Sequence, residues 1–181
     1  MSLASVTVHD KSFELFLSEK EIQSRILELG EQISAEYQGR IPLFIGVLNG
    51  SFMFASDLMK HISIPTEITF IKVSSYQGMN SQGKTKELIG LHETIENREV
   101  IVVEDIVDTG ITMEAIVNQL NDMGAQSVQV ASLLLKPECL QRDVQVKYVG
   151  FEIPEKFVVG YGLDYDGQGR NLKDIYQLKQ D

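Results

Sequence analysis

The chain has 181 residues, of which 43% are apolar and 23% are charged, and these proportions are typical of a water-soluble globular domain. The formal net charge of −10 argues against binding to nucleic acid or to anionic membranes, because both attract a basic surface. No stretch approaches the roughly 20 consecutive apolar residues that cross a bilayer, and the first residues lack a signal-peptide pattern. A chain of this length is expected to form one domain. The single cysteine, Cys139, excludes an internal disulfide and a cysteine-based metal site, so we expect the protein in the reducing cytoplasm.

Helical and strand patterns alternate along the chain. Apolar residues at helical spacing across residues 18–38 predict an amphipathic helix with Ser18 as its N-cap. A strand from residue 41 ends in a turn at residues 48–51, and residues 52–62 predict a second helix. The remaining predicted elements are strands over residues 66–76, 100–104, 127–136 and 147–153, and a helix over residues 112–123 that ends at Gly124. This alternation predicts an α/β fold with a mostly parallel, twisted sheet flanked by helices.

Residues 77–87, with the sequence QGMNSQGKTKE, differ from their surroundings in being rich in glycine, lysine and polar side chains. A loop of this length inside a compact domain is more often functional or mobile than structural. The composition fits a lid over a ligand site, and it also fits a disordered connector.

Three polar features follow predicted strands: the turn at residues 48–51, the segment 104–112, and Lys136. Ligands of open α/β sheets bind beyond the carboxyl ends of the strands. The sequence therefore predicts that a ligand site lies where these three features meet.

The segment 104–112, EDIVDTGIT, has the properties of an anion site at its second half. Gly110 permits a tight turn and the close approach of a ligand to the main chain. The amides of residues 109–112 precede a helix, so unpaired N–H groups and the positive end of the helix dipole point in one direction. Thr109 and Thr112 add hydroxyl donors for phosphate oxygens.

The acids of the same segment suit a different part of a ligand. Glu104 and Asp105 cannot bind phosphate directly, but their carboxylates suit ribose hydroxyls, either as acceptors or through a Mg²⁺ ion. The alternative is an ordinary strand-to-helix turn in which Asp108 or Thr109 caps the helix. Three acids beside Thr-Gly-x-Thr after an apolar strand favour the ligand site.

At these residues the sequence resembles a known family. The stretch VIVVEDIVDTGIT, residues 100–112, is similar to the phosphoribosyl-diphosphate (PRPP) signature of the type I phosphoribosyltransferases. Further segments resemble the hypoxanthine(-guanine) branch of that family, in the right order: GVLNGSFMFASDL, KVSSYQG, LLLKP and VGFEIPEKFVVGYGLDYDGQGRNL. The resemblance implies one domain over residues 1–181, with a core of about 35–150 and a small hood built from about 1–16 and 151–181.

The resemblance implies roles for the PRPP signature. The residues expected at the 5′-phosphate are Asp108, Thr109, Gly110, Ile111 and Thr112. Glu104 and Asp105 would face the ribose hydroxyls and, together with Asp164, hold Mg²⁺, the expected cofactor. Asp108 would also serve purine N7 as general base or acid. Arg170 would contact pyrophosphate.

The resemblance also implies roles around the purine base and the leaving group. Lys136 would donate to purine O6 and so select a 6-oxopurine, Phe157 would stack on the base, and the Val158 main chain would meet its Watson–Crick edge. The turn containing Asn49 and Gly50 would hold pyrophosphate through main-chain amides, although the family often has Lys at the position of Asn49. Ser75 and Tyr76 match the start of a mobile loop that closes over the site.

The implied activity is the Mg²⁺-dependent transfer of phosphoribosyl from PRPP to hypoxanthine, and also to guanine, by a homodimer or homotetramer. Other phosphoribosyltransferases are alternatives, of which a xanthine enzyme is the hardest to exclude. A PRPP-sensing regulator, an RNA-binding relative, and a nucleotide-binding module without chemistry also remain open. Singly, Lys136, Asp164 and Arg170 would each suit an exposed strand end or turn, and Phe157 would suit a core.

Overall fold

A computed structural model of the protein describes residues 4–76 and 85–179. Its larger sheet has six strands: β3 (Leu43–Leu48), β4 (Glu67–Tyr76), β5 (Thr85–Ile89), β6 (Glu99–Val107), β7 (Ser127–Leu135) and β8 (Tyr148–Glu152). The strand order is β5-β4-β3-β6-β7-β8, and every neighbouring pair is parallel except β4 with β5. The predicted α/β fold with a mostly parallel sheet is confirmed.

Three α-helices cover this sheet: α1 (Glu19–Glu36), α2 (Phe52–Lys60) and α3 (Ile111–Asp122). Helix α1 begins as predicted, because Ser18 accepts a hydrogen bond from the Glu21 amide while the Glu21 side chain accepts from the Ser18 amide. One apolar core joins α1 and α2 to one face of the sheet, and a second core joins α3 to the other face. No helix within residues 4–76 and 85–179 is long and apolar enough to cross a membrane.

The terminal segments form a second, smaller antiparallel sheet. Its strands are β1 (Ser5–Val8), β2 (Lys11–Leu17), β9 (Val158–Val159) and β10 (Ile175–Leu178), in the order β1-β2-β10-β9. We call this sheet and its connecting loops the hood. The hood has an apolar cluster of its own, centred on Phe13 and Tyr176.

A buried carboxylate joins the hood to the core. Asp174, only 1% exposed, accepts a hydrogen bond from the Glu19 amide at 2.7 Å and another from the Tyr176 hydroxyl at 3.1 Å. The Glu19 amide belongs to the first turn of α1, where backbone N–H groups lack a partner within the helix and the helix dipole favours an anion. Asp174 therefore fixes the start of α1 relative to the hood.

Two sequence predictions need correction. The strand predicted over residues 100–104 continues to Val107, so Glu104 and Asp105 lie within β6 and not after its end. The reason is that Ile106 and Val107 continue the parallel register opposite Leu134 and Leu135, and Val107 is buried. The loop predicted over residues 77–87 is shorter, because strand β5 begins at Thr85 and pairs with β4; its first part, residues 77–84, lies outside the described residues.

Candidate active site

The turn between β6 and α3, residues 108–110, and the first residues of α3, 111–112, lie at the carboxyl edge of the sheet. Gly110 adopts a left-handed conformation, with φ of 78°, and directly precedes the helix. A Cβ at this position would meet side-chain atoms of Leu140 and Val144 at 3.3 Å. The Gln141 amide donates to the Thr109 carbonyl at 2.9 Å. The turn is therefore held from behind by the segment that follows β7, and its amides begin α3 as the sequence predicted.

This turn borders a small pocket of about 110 Å³. The lining residues are Glu104, Ile106, Val107, Asp108, Thr109, Gly110, Thr112 and Met113. The pocket thus combines the start of a helix with carboxylates on either side. A phosphate group at the helix start would leave the carboxylates to the neutral or cationic parts of the ligand.

Lys136 and Asp108 form an ion pair at the edge of this turn. The Lys136 Nζ donates to Asp108 Oδ2 at 2.7 Å, with 10% of the lysine side chain and 47% of the aspartate side chain exposed. The contact arises because β6 and β7 are parallel neighbours and Lys136 follows β7 directly, its amide donating to the Val107 carbonyl at 3.0 Å. A cationic donor and an anionic acceptor are thereby presented side by side.

The two acids inside β6 differ in environment. Glu104 is 8% exposed, and burial, followed by the neighbouring Asp105 carboxyl, raises the pKa of Glu104 well above its ordinary value of 4.5. Asp105 accepts a hydrogen bond from the Ile106 amide at 2.9 Å. The pair therefore resists carrying two negative charges unless a cation or hydroxyl donors approach it.

The turn between β3 and α2, residues 48–51, lies against this acid pair. A Cβ at Gly50 would fall 1.6 Å from Asp105 Oδ2, so only glycine fits there without displacing the carboxylate. The peptide bond between Leu48 and Asn49 is cis. Ser51 Oγ is the one buried side-chain polar atom of the described residues that lacks a hydrogen-bond partner. The turn therefore brings main-chain groups close to the carboxylates of β6.

The hood contacts the same turn through a second glycine. A Cβ at Gly162, whose φ is 99°, would fall 2.0 Å from the Gly50 carbonyl oxygen. Nearby, Tyr161 donates a hydrogen bond to Asp57 on α2. The hood backbone is thus packed directly on the backbone of the β3–α2 turn, which lies between Asp105 on one side and Gly162 on the other.

Asp164 and Arg170 bind each other in the hood. Arg170 Nη2 lies 2.6 Å from Asp164 Oδ1, and Arg170 Nη1 donates to the Gly162 carbonyl at 2.6 Å. The Gly167 amide donates to Asp164 Oδ2 at 2.7 Å. Both carboxylate oxygens of Asp164 therefore have partners within the hood itself.

Phe157 and Val158 lie at the free edge of the hood sheet. Phe157 is 46% exposed, and Tyr165 meets its ring edge-on with centroids 5.7 Å apart. Tyr165 in turn donates a hydrogen bond to Asp10 at 2.9 Å. Val158 belongs to β9, which is an edge strand, so one side of its main chain faces away from the sheet. A flat aromatic face and a free strand edge are thus adjacent.

The remaining predictions concern the start of the lid and the metal ligands. Ser75 and Tyr76 end β4 at the carboxyl edge, and the predicted lid beyond them lies outside the described residues. The described residues contain no group of three or more histidine, cysteine, aspartate or glutamate side chains that could hold a metal ion unaided. Glu104 and Asp105 face one side of the β3–α2 turn, whereas Asp164 follows Gly162 on the other side.

The carboxylates of Glu104, Asp105 and Asp164 are compatible with one kind of Mg²⁺ site. Mg²⁺ is commonly bound by one or two carboxylates together with waters and substrate phosphates, without an all-protein cage. The carboxylates available here match that pattern, provided that a phosphorylated ligand supplies the other oxygens.

Sequence reasoning missed two supporting residues. Gly162 makes the close backbone contact with Gly50, and Tyr165 orients the Phe157 ring. The three glycines of 160–167 in a polar segment are the only sequence signal for the former, and they do not identify its partner.

A family model for the phosphoribosyl transferase domain matches residues 16–166. The match covers both the helix start at residues 108–112 and the strands that position it, so the chain is a phosphoribosyltransferase by class.

Individual relatives narrow the class to one branch of the phosphoribosyltransferases. The hypoxanthine-guanine phosphoribosyltransferase of Bacillus subtilis is 42% identical over 167 residues, covering 92% of this chain and 93% of the relative. That of Staphylococcus aureus strain N315 is 42% identical over 173 residues, covering 95% and 97%. A crystal structure of a hypoxanthine phosphoribosyltransferase from Staphylococcus aureus matches with a TM-score of 0.85 at 42% identity, covering 92% and 91%. The chain belongs to the hypoxanthine-guanine phosphoribosyltransferase family.

We predict that Gly162→Ala disrupts the site. The new Cβ would collide with the Gly50 carbonyl, and a non-glycine residue is strained at this φ, so we expect a loss of about 3 kcal/mol in unfolding free energy and a large loss of turnover. Urea denaturation and a phosphoribosyl transfer assay measure both. Gly39→Ala is the matched control, because its φ is 78° and nothing lies within 4 Å of its Cβ. A Gly162→Ala enzyme as stable and active as the Gly39→Ala enzyme would contradict the close packing.

We predict that Glu104→Gln makes the protein's stability less dependent on pH. The folded-state pKa of Glu104 is raised, so the folded protein binds more protons than the unfolded chain above pH 4.5, and its stability falls as the pH rises through this window. Glu104→Gln should therefore have a higher Tm than the native protein near about pH 8, with the difference shrinking near about pH 4. Exposed Glu31→Gln is the control. A difference in Tm that does not change with pH would contradict the prediction.

Proposed function

We propose that this chain catalyses the Mg²⁺-dependent transfer of the 5-phosphoribosyl group from PRPP to N9 of hypoxanthine, and also of guanine, in purine salvage. The products would be IMP or GMP and pyrophosphate. The observation that carries the proposal is the Lys136–Asp108 ion pair beside a helix start. A 6-oxopurine presents an O6 acceptor next to an N7–H donor, and the pair offers the matching donor and acceptor.

The proposed chemistry begins with the sugar phosphate anchored at residues 108–112. As the bond between C1 and the pyrophosphate oxygen breaks, pyrophosphate leaves with the electron pair and the ribose gains oxocarbenium character. N9 of the base then forms the new bond to C1, and the N7 proton passes to Asp108. A carboxylate at N7 strengthens the nucleophile as the bond forms, which is general-base catalysis in its ordinary sense.

Electrostatics support the same division of roles. The negative carboxylates of Glu104 and Asp105 beside the ribose would stabilise positive charge on the ring as it develops. They would also accept hydrogen bonds from the ribose hydroxyls. Because the pKa of Glu104 is raised in the ligand-free protein, hydroxyl donors or a cation are needed to favour its charged form.

The leaving group would lie between the β3–α2 turn and the hood. Asn49 and Gly50 would offer main-chain amides to pyrophosphate, and Arg170 would exchange Asp164 for a pyrophosphate oxygen. Mg²⁺, held by Glu104, Asp105 and Asp164, would supply charge neutralisation to the pyrophosphate. The support for this arrangement is the close stacking of Asp105, Gly50 and Gly162.

Two further parts of the proposal concern recognition of the purine base and exclusion of water from the site. Phe157 would stack on the purine, and the Val158 main chain would meet its Watson–Crick edge, as the exposed Phe157 ring and the free edge of β9 permit. The segment that begins at Ser75 and Tyr76 would close over the site and exclude water, which otherwise could react with the cation-like sugar.

The protein's assembly and location are part of the same proposal. Phe52, Ile68 and Phe70 are large apolar residues with 42%, 38% and 37% of their surface exposed. Such residues suit a subunit interface, and we propose a homodimer or homotetramer in the cytoplasm that binds neither nucleic acid nor membranes.

The first test is a panel of bases: hypoxanthine, guanine, xanthine, adenine and uracil, each supplied with PRPP and Mg²⁺ while nucleotide formation is followed. We expect turnover of hypoxanthine and guanine, its loss in excess chelator, and its return with Mg²⁺, because the carboxylates of the site need a cation to meet pyrophosphate. A preference for xanthine would establish the alternative enzyme. PRPP binding without turnover of any base would indicate a regulator, and full activity in chelator would contradict the metal's role.

A second test concerns Asp108. Asp108→Asn keeps the size of the side chain but removes the proton acceptor, so we expect kcat to fall by about 100-fold or more with a much smaller change in PRPP affinity. Exposed Asp122→Asn, at the far end of α3, is the control for loss of one negative charge. Unchanged kcat in Asp108→Asn would show that Asp108 only caps or orders the turn.

A further inference from the structure

The turn that would bind the 5′-phosphate lacks a cation of its own. None of residues 104–112 is basic. Ile111, the first residue of α3, is 38% exposed and apolar. Three acids flank the turn, and the adjacent Lys136 is already paired with Asp108. A doubly charged phosphate would therefore rely on backbone amides, the Thr109 and Thr112 hydroxyls and the helix dipole, with acidic side chains nearby and no unpaired cation in the turn.

Arg142 lies beside this turn. Its Cβ is 3.5 Å from the position that a Cβ of Gly110 would occupy, on the segment whose Gln141 amide binds the Thr109 carbonyl. Its guanidinium pairs with Glu114, with Nε 3.1 Å from Oε2, and Nη1 also makes a long contact of 3.4 Å with the Gln141 carbonyl. The Glu114 amide donates to the Gly110 carbonyl, so Glu114 lies in the first turn of α3. The guanidinium therefore sits at the same helix end as the proposed phosphate.

The pair between Arg142 and Glu114 is easily broken. The two side chains are 50% and 41% exposed, and ion pairs so exposed contribute little to stability because water and salt screen them. A phosphate held by helix amides offers the guanidinium two oxygens in a geometry that matches its planar donors. Exchange of the carboxylate for phosphate is therefore favourable on charge and on geometry.

We propose that Arg142 is a further ligand of the 5′-phosphate, and that its guanidinium exchanges Glu114 for the phosphate when nucleotide binds. This proposal rests on the function proposed above, because it places the 5′-phosphate at residues 108–112. It assigns to Glu114 the role of a competing partner that holds Arg142 beside the turn.

The test compares inhibition constants of IMP and of inosine, which lacks the 5′-phosphate, against the native enzyme and variants. Arg142→Gln should weaken IMP by about 10-fold and leave inosine unchanged, and Glu114→Gln should strengthen IMP several-fold, because the competitor is gone. Arg98→Gln is the matched control: Arg98 Nη2 lies 3.1 Å from Glu67 at the opposite edge of the sheet. It removes the same charge and should leave both constants unchanged.

Other outcomes distinguish a failure of the proposed function from a failure of the proposed role of Arg142. If IMP and PRPP fail to bind the native protein, the proposed function fails. If IMP binds the native protein and Arg142→Gln equally, the function stands and the role of Arg142 is refuted. Equal weakening of IMP and inosine in Arg142→Gln would also refute it, because Arg142 would then support the turn without contacting phosphate. Thermal melting of each variant checks that the fold is intact.

Discussion

The active site depends on a backbone contact that leaves no room for a side chain. The hood has an apolar cluster of its own and also contributes Val158 and Ile175 to the core beneath α1 and α2, and the site lies where the loops of the two sheets meet. At that point Gly162 of the hood packs on the Gly50 carbonyl, and Gly50 packs on Asp105. Because the contact joins main chain to main chain, it fixes the distance between the hood and the β3–α2 turn more tightly than mobile side chains would. The buried hydrogen bond from the Glu19 amide of α1 to Asp174 joins the hood to the core at a second point.

The charges of the site are largely compensated before any ligand arrives. Asp108 is paired with Lys136, Asp164 with Arg170 and the Gly167 amide, and Asp105 with the Ile106 amide. Glu104 accepts a hydrogen bond of 3.3 Å from the Asp105 amide, but its pKa is still raised by the burial of its carboxyl beside another carboxyl. Ligand binding in such a site exchanges one set of partners for another. The free energy of binding is then the difference between the interactions made with the ligand and the similar interactions within the protein that they replace. Because this difference is small, a site crowded with carboxylates can release a charged product.

Local patterns in the sequence predict most of the larger sheet and the helix start. Ser18 is the N-cap of α1 as expected, and Gly110 precedes α3 within one residue of the prediction. The parts that failed are those that pairing between distant segments decides. Ile106 and Val107 read as the residues of a turn beside acids, and only their register with β7 makes them strand. The hood sheet likewise depends on the pairing of β2 with β10, which are more than a hundred residues apart.

The sequence also predicts Lys136 and Asp108 as two separate contacts to the base, whereas the structure joins them in one ion pair. That difference affects how their contributions can be separated. Removing Asp108 leaves the Lys136 side chain, only 10% exposed, without its partner, so the measured loss would include the cost of an unpaired buried group as well as any lost contact with substrate. In the proposed function, the two residues would act as one unit that reads a donor and an acceptor on the same edge of a purine. On the same proposal, a base with only one of those groups would break the Lys136–Asp108 pair without replacing both of its halves, and this constraint would favour 6-oxopurines over adenine independently of the shape of the pocket.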